Sequence, residues 1–364
     1  MLMTTRKRAR GYLPLMGVIT LFVLLMRNGE VAMEGVKRGI SLCANTLFPS
    51  LYPYLVLSEL LVTLEAGELP GRWLKKPFQL LFGLSGSGAA AFLLGTLCGF
   101  PTGTATAVAL YRKKALTKEE VGRLFLFVNN PSPGFLIGVV GGAMLGNAAA
   151  GAVLFGITTL SAVAVGIFFR FLKAPLPKSV PAPETGRDRR QYGDVVGCIK
   201  RGFNTMLQVT ALVLFFSTVT ACLLHLSETL AVPKAVSVFL IGVLEMTSGT
   251  HAAVAAFSPQ TAFLLAAFFA GFSGLSVCLQ LLAVSEGFPQ PIGAYLGAKI
   301  VQGGLCVLLT ALYVKLFRPA FRISENAFYP VAQSRMLPCR WWFWGIFCVF
   351  LLVVALSEAG KRKK

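Results

Sequence analysis

The sequence has little charge for its length. Only 13% of its 364 residues are Asp, Glu, Lys or Arg, whereas 55% are hydrophobic and the mean hydropathy is +0.70. An average soluble domain carries about twice that share of charged residues. The composition therefore excludes an ordinary soluble protein and predicts a polytopic membrane protein. Its partner would be the lipid bilayer in which it is embedded.

Acidic residues are especially scarce, with 15 Asp and Glu against 34 Lys and Arg and a formal net charge of +19. Such a balance also occurs in nucleic-acid-binding proteins, but the basic residues here lie in loops and tails between apolar runs. That distribution is typical of the cytoplasmic loops of membrane proteins. We therefore expect no nucleic-acid partner.

The common motifs of catalysis and cofactor binding are missing as well. The chain contains no Walker A string, no HExxH and no GxSxG. Its eight cysteines are spread singly, without a CxxC pair, which disfavours a metal centre or a disulfide framework. We expect no enzyme activity, no catalytic residue, no metal and no cofactor.

Apolar runs separated by short polar loops cover most of the chain. They lie at 12–26, 40–62, 86–111, 121–141, 144–172, 203–225, 235–257, 260–284, 291–317 and 340–357. Most reach the roughly 20 residues that a helix needs to cross about 30 Å of hydrocarbon. Basic residues precede the first run and no small-residue cleavage site follows it, so we predict an uncleaved first transmembrane helix.

Two stretches of the chain read almost alike: Thr102–Ala109 (TGTATAVA) and Ser248–Ala255 (SGTHAAVA). Each interrupts an apolar segment with small and polar residues. A Lys-Arg-Gly tripeptide precedes each, at Lys37–Gly39 and Lys200–Gly202. Paired broken segments in two halves of a membrane chain indicate the substrate site of a transporter.

Charge counting predicts that the first of these segments does not cross the membrane. Basic residues stand both before it, at Lys75 and Lys76, and after it, at Arg112 and Lys113, which places both flanks on one side. Pro101 between two glycines favours a sharp break there. Residues 86–111 are therefore predicted to form a re-entrant hairpin. By symmetry, we expect residues 235–257 to form a second hairpin that enters from the opposite face.

These patterns predict an all-α polytopic membrane protein with two inverted repeats, each containing a re-entrant helical hairpin and a broken transmembrane helix. Residues 1–36 would hold the first transmembrane helix and its basic flank, 37–172 the first repeat and 201–317 the second. A basic, proline-rich cytoplasmic linker would occupy 173–200. A basic loop, a C-terminal transmembrane helix and a basic tail would occupy 318–364.

The two hairpin tips supply most of the candidate substrate-binding residues. A helix that restarts after Pro101 would direct free N–H groups and its positive dipole end at a carboxylate. The alternative is that these small residues only allow close helix packing. The candidates are Gly99, Pro101, Thr102, Gly103 and Thr104 in the first tip and Thr247, Ser248 and Gly249 in the second.

Ionisable residues inside the apolar runs are candidates for coupling transport to a proton or sodium gradient. An ionisable side chain at membrane depth is expected to have a function. Glu245 and His251 lie in the second hairpin, and Lys299 lies in the last helix of the second repeat. The alternative for Glu245 and Lys299 is a structural ion pair between them.

Each hairpin is followed by a second interruption. Asn129, Asn130 and Ser132 stand among prolines in the first half, and Ser273 and Ser276 stand among glycines in the second. Broken helices expose carbonyl and amide groups that can bind a polar substrate near the midplane. A kinked helix whose polar groups are satisfied by its neighbours is the alternative.

The strings GTLCGFPTGTATAV (Gly95–Val108), FVNNPSPGF (Phe127–Phe135) and LEMTSGT (Leu244–Thr250) resemble the YlbJ family of sporulation integral membrane proteins. That family belongs to the wider group with a nucleoside-recognition, or Gate, domain. The resemblance implies expression during endospore formation, in a mother-cell or forespore membrane. It also implies dipicolinic acid, a small anionic solute, as the transported substrate.

The resulting hypothesis is a secondary transporter or facilitator of a small organic anion, dipicolinate first, that works by alternating access around a central cavity. A nucleoside or another small solute is the first alternative. The second is a scaffold of the spore envelope that transports nothing. Coupling to protons or sodium and assembly into a homodimer are both compatible with the sequence.

Overall fold

Residues 2–63, 68–172, 195–285 and 287–317 are the part of the chain that the computed structural model describes. In these ranges the secondary structure is helical, without strands. The first helices are α1 (Leu2–Arg27), α2 (Gly29–Leu42), a π-helical stretch (Cys43–Leu47), α3 (Phe48–Thr63), α4 (Glu68–Phe82), α5 (Ser87–Leu97), α6 (Thr102–Arg112), α7 (Lys118–Leu124), a π-helix (Gly134–Met144) and α8 (Ala148–Leu172). The remaining helices are α9 (Val195–Thr229), α10 (Lys234–Leu244), α11 (Met246–Ala256), α12 (Pro259–Phe272), α13 (Gly274–Val284) and α14 (Ile292–Phe317).

Several helices are long and apolar enough to cross a membrane, which confirms the predicted polytopic class. By length and composition there are four such spans in the described residues: α8, α9, α14 and the consecutive pair α12 and α13. The number rises to six if two bent helix pairs each count as one span. Large apolar side chains such as Phe171, Phe215 and Leu308 point outward from these helices, as lipid-facing residues do.

Both predicted hairpins are present as two short helices joined by a break. The first consists of α5 and α6 around Cys98–Pro101, with a cis Phe100–Pro101 peptide bond, and the second of α10 and α11 around Glu245. Each arm has 11 residues, or about 16 Å of helix. One arm is therefore too short to cross about 30 Å of hydrocarbon.

Glycine allows the two arms of each hairpin to touch. A Cβ atom on Gly95 would lie 2.8 Å from the Cα of Gly103 in the opposite arm, and one on Gly249 would lie 2.0 Å from the Cα of Gly242. Real Cβ atoms essentially never come that close to another atom. Gly103 and Gly249, predicted as substrate-binding residues, therefore hold their hairpins together by close packing, which was the alternative interpretation.

The predicted broken helices are confirmed. After α7, the chain runs through turns to a non-helical stretch at 129–132 and resumes as the π-helix Gly134–Met144. In the second half, α12 and α13 are separated by Ser273, which has a left-handed φ of 72°. The order hairpin, broken helix and long helix therefore occurs twice.

The long helices on which the hairpins rest run antiparallel. Gly39 on α2 packs against Leu214 of α9, whereas Gly202, earlier on α9, packs against Val56 of α3. The two tripeptide glycines thus lie in equivalent close contacts between α9 and the joined helices α2 and α3. This antiparallel pairing is compatible with an inverted repeat, which stays a prediction.

Some predicted boundaries fall inside helices. The boundary at residue 36 lies within α2, and residues 195–200 of the predicted linker already belong to α9. The rest of that linker up to residue 194, and the predicted C-terminal part at 318–364, lie outside the described residues.

Replacing Gly249 by alanine should destabilise the protein. Overpacking of a well-packed core costs about 1–3 kcal/mol, and here the new methyl group would meet the backbone of Gly242. We expect a lower midpoint of thermal unfolding in detergent. Gly297→Ala in α14 is the matched control, because nothing lies within 4 Å of its Cβ position. Equal midpoints for the two variants would contradict the close arm contact.

Candidate functional site

A small cavity lies where the tips of the two hairpins come together. Gly99 and Phe100 of the first tip line it, and so do Glu245, Met246 and Thr247 of the second. The sequence predicted that the tips would meet, and these residues do share one cavity. Thr102 and Ser248, the two positions at which the sequence repeat begins, are not in its lining.

The broken helices and the long helices complete the cavity wall. Ser132 and Phe135 come from the first broken helix, and Ser276, Val277 and Gln280 come from α13 of the second. The remaining wall is aliphatic and comes from the long helices: Leu47, Leu51, Val209 and Val213. Five predicted site residues, Gly99, Ser132, Glu245, Thr247 and Ser276, are therefore brought together here.

The free space in this cavity is about 40 Å³, measured by where the centre of a water-sized sphere fits. One water molecule needs roughly 10–15 Å³ on that measure, so the cavity has room for a few waters. An aromatic acid would enter only if the lining side chains moved apart. Phe100, on a hairpin tip, and Phe135, at a helix break, are lining side chains on elements whose packing can change.

Glu245 caps the helix that follows it. Its backbone is extended, and its two carboxylate oxygens accept hydrogen bonds from the backbone N–H groups of Thr247 at 2.8 Å and Ser248 at 2.6 Å. A carboxylate is favourable at the positive end of a helix. The protein's own side chain thus occupies the position in which the sequence led us to expect a substrate anion.

The first tip does not offer free N–H groups at these positions either. The N–H of Thr102 donates to the carbonyl of Gly99 at 3.0 Å, and the N–H of Thr104 donates to Oδ1 of Asn129 at 3.1 Å. The hydroxyl of Thr104 donates to the same amide oxygen at 3.0 Å. Neighbouring residues therefore already satisfy the N–H groups of Thr102 and Thr104, and anion binding at this tip stays a prediction.

A buried hydrogen-bond network, which we call the Lys299 network, joins the first broken helix to α14. The amino group of Lys299 donates to the carbonyl of Asn129 and, at 2.9 Å, to Oε1 of Gln302. Gln302 in turn donates to Oδ1 of Asn130 at 2.8 Å and to the carbonyl of Thr158 at 3.3 Å. All five residues are fully buried.

The Lys299 network changes the interpretation of three predicted site residues. Asn129, Asn130 and Lys299 bond to protein groups and are absent from the cavity lining. The proposed ion pair between Glu245 and Lys299 is not formed: Glu245 bonds to its own helix, while Lys299 bonds to Asn129 and Gln302. Lys299 instead donates a hydrogen bond to the carbonyl of Asn129, which the helix break leaves without a helical partner.

The other predicted site residues lie near the cavity without lining it. Pro101 precedes α6 as its N-cap residue, and Ser273 is buried at the break between α12 and α13. The hydroxyl of Ser248 accepts a 3.5 Å hydrogen bond from Thr220 of α9. His251 lies about one turn further along α11 and is partly buried.

A second cavity follows the first along α3, α6 and α9. Leu51 of α3 lines the first cavity, and one and two turns further along the helix, Leu55 and Glu59 line the second. Thr102, whose buried hydroxyl has no hydrogen-bond partner, lines this second cavity. Glu59 forms an ion pair of 2.8 Å with Arg201 of α9. The two cavities thus follow each other along α3, and this ion pair lies beside the second one.

Sequence reasoning missed two glutamines that are buried in the described part of the chain. Gln280 lines the first cavity, and Gln302 holds the Lys299 network together. Each is an uncharged polar residue within a largely apolar helix, and such residues usually face the interior of a helix bundle. That pattern could have identified both, but it could not have distinguished the cavity residue from the network residue.

Removing the amino group of Lys299 should destabilise the fold. Lys299→Met leaves the carbonyl of Asn129 and Oε1 of Gln302 buried without a donor, at roughly 1–3 kcal/mol each. We expect the midpoint of thermal unfolding in detergent to fall by about 5 °C or more. Lys315→Met, at an exposed position of the same helix, is the control. An unchanged midpoint for Lys299→Met would favour a role in coupling over a role in structure.

Comparison with known proteins agrees with the family that the sequence motifs indicated. The chain is 24% identical to the sporulation integral membrane protein YlbJ of Bacillus subtilis (strain 168), over 85% of this chain and 83% of that protein. No family model matches the chain, and no solved structure matches it significantly. The aligned region extends well beyond the short motifs, and both proteins are integral to the membrane. The chain is therefore similar to the YlbJ sporulation integral membrane protein over most of its length.

Proposed function

We propose that this membrane protein is a secondary transporter of a small organic solute and that the cavity between the hairpin tips is its binding site. One observation carries the proposal: two hairpin tips and two broken helices all contribute to a single cavity. Discontinuous helices that converge near the midplane are the usual construction of a transporter's substrate site. Movement of one set of helices against the other would open the cavity to each face in turn.

Dipicolinic acid is the substrate that we put first. This choice of substrate rests on the resemblance to the YlbJ family. Part of the cavity lining is compatible with dipicolinic acid. Phe100 and Phe135 offer faces on which a planar aromatic ring can stack. Ser132 and Ser276 offer hydroxyl groups to its polar edge. Transport would serve endospore formation in a mother-cell or forespore membrane, with no catalysis and no cofactor.

Uptake by the purified full chain in proteoliposomes tests this proposal. We expect labelled dipicolinate to accumulate faster than in empty liposomes, and labelled uridine, as a representative nucleoside, to remain at the background rate. Uptake of uridine alone would contradict dipicolinate as the substrate but support transport as the function. Uptake of neither solute would overturn the transport function.

A variant that fills the cavity tests whether the solute is transported through this site. Val209 is buried on α9 and lines the cavity, so Val209→Phe should reduce dipicolinate uptake by about tenfold or more, because the ring occupies the solute's space. Leu207→Phe is the matched control, since Leu207 is 48% exposed on the same helix. Equal uptake by the two variants would place the transport path elsewhere. Thermal unfolding in detergent checks that both variants are folded.

A further inference from the structure

Among the lining side chains that the structure describes, Gln280 is the one with a fully buried polar atom that lacks a hydrogen-bond partner. It lies on α13 and is only 4% exposed, and its Oε1 atom is buried without a hydrogen-bond partner. A buried polar atom without a hydrogen bond lowers the free energy of unfolding by about 1–3 kcal/mol. A buried polar atom without a partner calls for an explanation, and a ligand that supplies a donor provides one.

A primary amide has two hydrogen-bonding functions side by side. Its oxygen accepts and its NH2 group donates. A protonated carboxyl group matches both, because its O–H can donate to Oε1 while its carbonyl oxygen accepts from the NH2 group. An ionised carboxylate has no donor, so it would leave Oε1 of Gln280 unsatisfied.

The charge of the cavity favours the same form of the ligand. Glu245 is the one ionisable side chain in the lining that the structure describes, and no lysine or arginine lines the cavity there. The N–H groups of Thr247 and Ser248 are already bonded to Glu245. The carboxylate of Glu245 would repel each ionised carboxyl group of a solute in a site with little water, so protonation of one carboxyl group removes one of these repulsions.

We propose that the amide of Gln280 binds a protonated carboxyl group of the transported solute, so that each solute molecule crosses with one proton. This inference rests on the proposed transport of a small carboxylic acid. The acid takes up its proton from the solution on the loading face, pairs with Gln280, and releases the proton on the other face. No covalent bond is made or broken, and the proton gradient drives accumulation.

Few other titratable groups surround Gln280. Glu245 lies at the N-terminus of α11. The thiol of Cys43, in the π-helical stretch, interacts electrostatically with Glu245. On α13 itself Cys278 precedes Gln280 by two residues and interacts electrostatically with Tyr295. The helices α6, α9 and α10, which also pack against α13, add no ionisable side chain to the lining. Glu245 is therefore the main competitor for the role of proton carrier.

The initial rate of dipicolinate uptake into proteoliposomes, measured at several pH values and at a low total concentration, tests the inference. Above the range in which a carboxyl group titrates, the protonated fraction falls tenfold per pH unit. We expect the protein-dependent rate to fall by roughly tenfold between pH 5.5 and 6.5, after subtraction of leakage into empty liposomes. A rate that stays constant or rises with pH would overturn the inference while leaving the transport function intact. Absence of uptake at every pH would overturn both.

Variants of Gln280 and Glu245 separate the two candidate proton carriers. Gln280→Leu and the more nearly isosteric Gln280→Met should lower uptake at pH 5.5 by about tenfold or more. Their unfolding midpoints should stay equal or rise, because an unsatisfied oxygen is removed. Glu245→Gln should keep the pH dependence, whereas it should abolish that dependence if Glu245 carries the proton. Leu279→Met, at an exposed site of the same helix, should behave as the wild type. Wild-type uptake by both Gln280 variants, or loss of the pH dependence in Glu245→Gln, would contradict the inference.

Discussion

Helix breaks that are buried among the apolar helices impose the main constraint on this structure. Each break frees backbone N–H and C=O groups, and lipid cannot satisfy them. At Asn129 the donor to the freed carbonyl is Lys299, which comes from a helix far away in the chain. At the second tip the solution is local, because Glu245 accepts from the first N–H groups of its own helix. Only because these groups are satisfied can both tips and both breaks meet at one cavity.

The same constraint divides the polar residues into two sets. Residues that bond to protein groups, such as Thr104, Asn130 and Lys299, hold the non-helical backbone in place. Residues that line the cavity, above all Gln280 with its unpaired oxygen, are left to meet a solute. A cavity that contains a carboxylate and an amide, but no cation in the described lining, fits an organic acid better in its protonated form. The proposed proton coupling follows from that fit.

Much of the fold could be predicted from the sequence because breaks in apolar helices have strong local signals. Glycine and proline around Gly99 and Pro101, together with basic flanks on one side, predicted the first hairpin, and the repeated motif predicted the second. The partners of the polar side chains could not be predicted in this way. Glu245 and Lys299 looked like an ion pair because opposite charges attract, yet each lies closer to a backbone group that also needs a hydrogen bond.

The sequence by itself determined the class of protein, the positions of the hairpins and breaks, and the family that the chain resembles. Hydrophobic run length, glycine and proline are local properties, and they act within a few residues. The tertiary structure decided which polar residues face the cavity and which are bonded within the Lys299 network. Gln280 and Gln302 have the same chemistry and similar apolar surroundings in sequence. They differ in function because one lies beside a free space between helices and the other lies beside Lys299 and the carboxamide of Asn130.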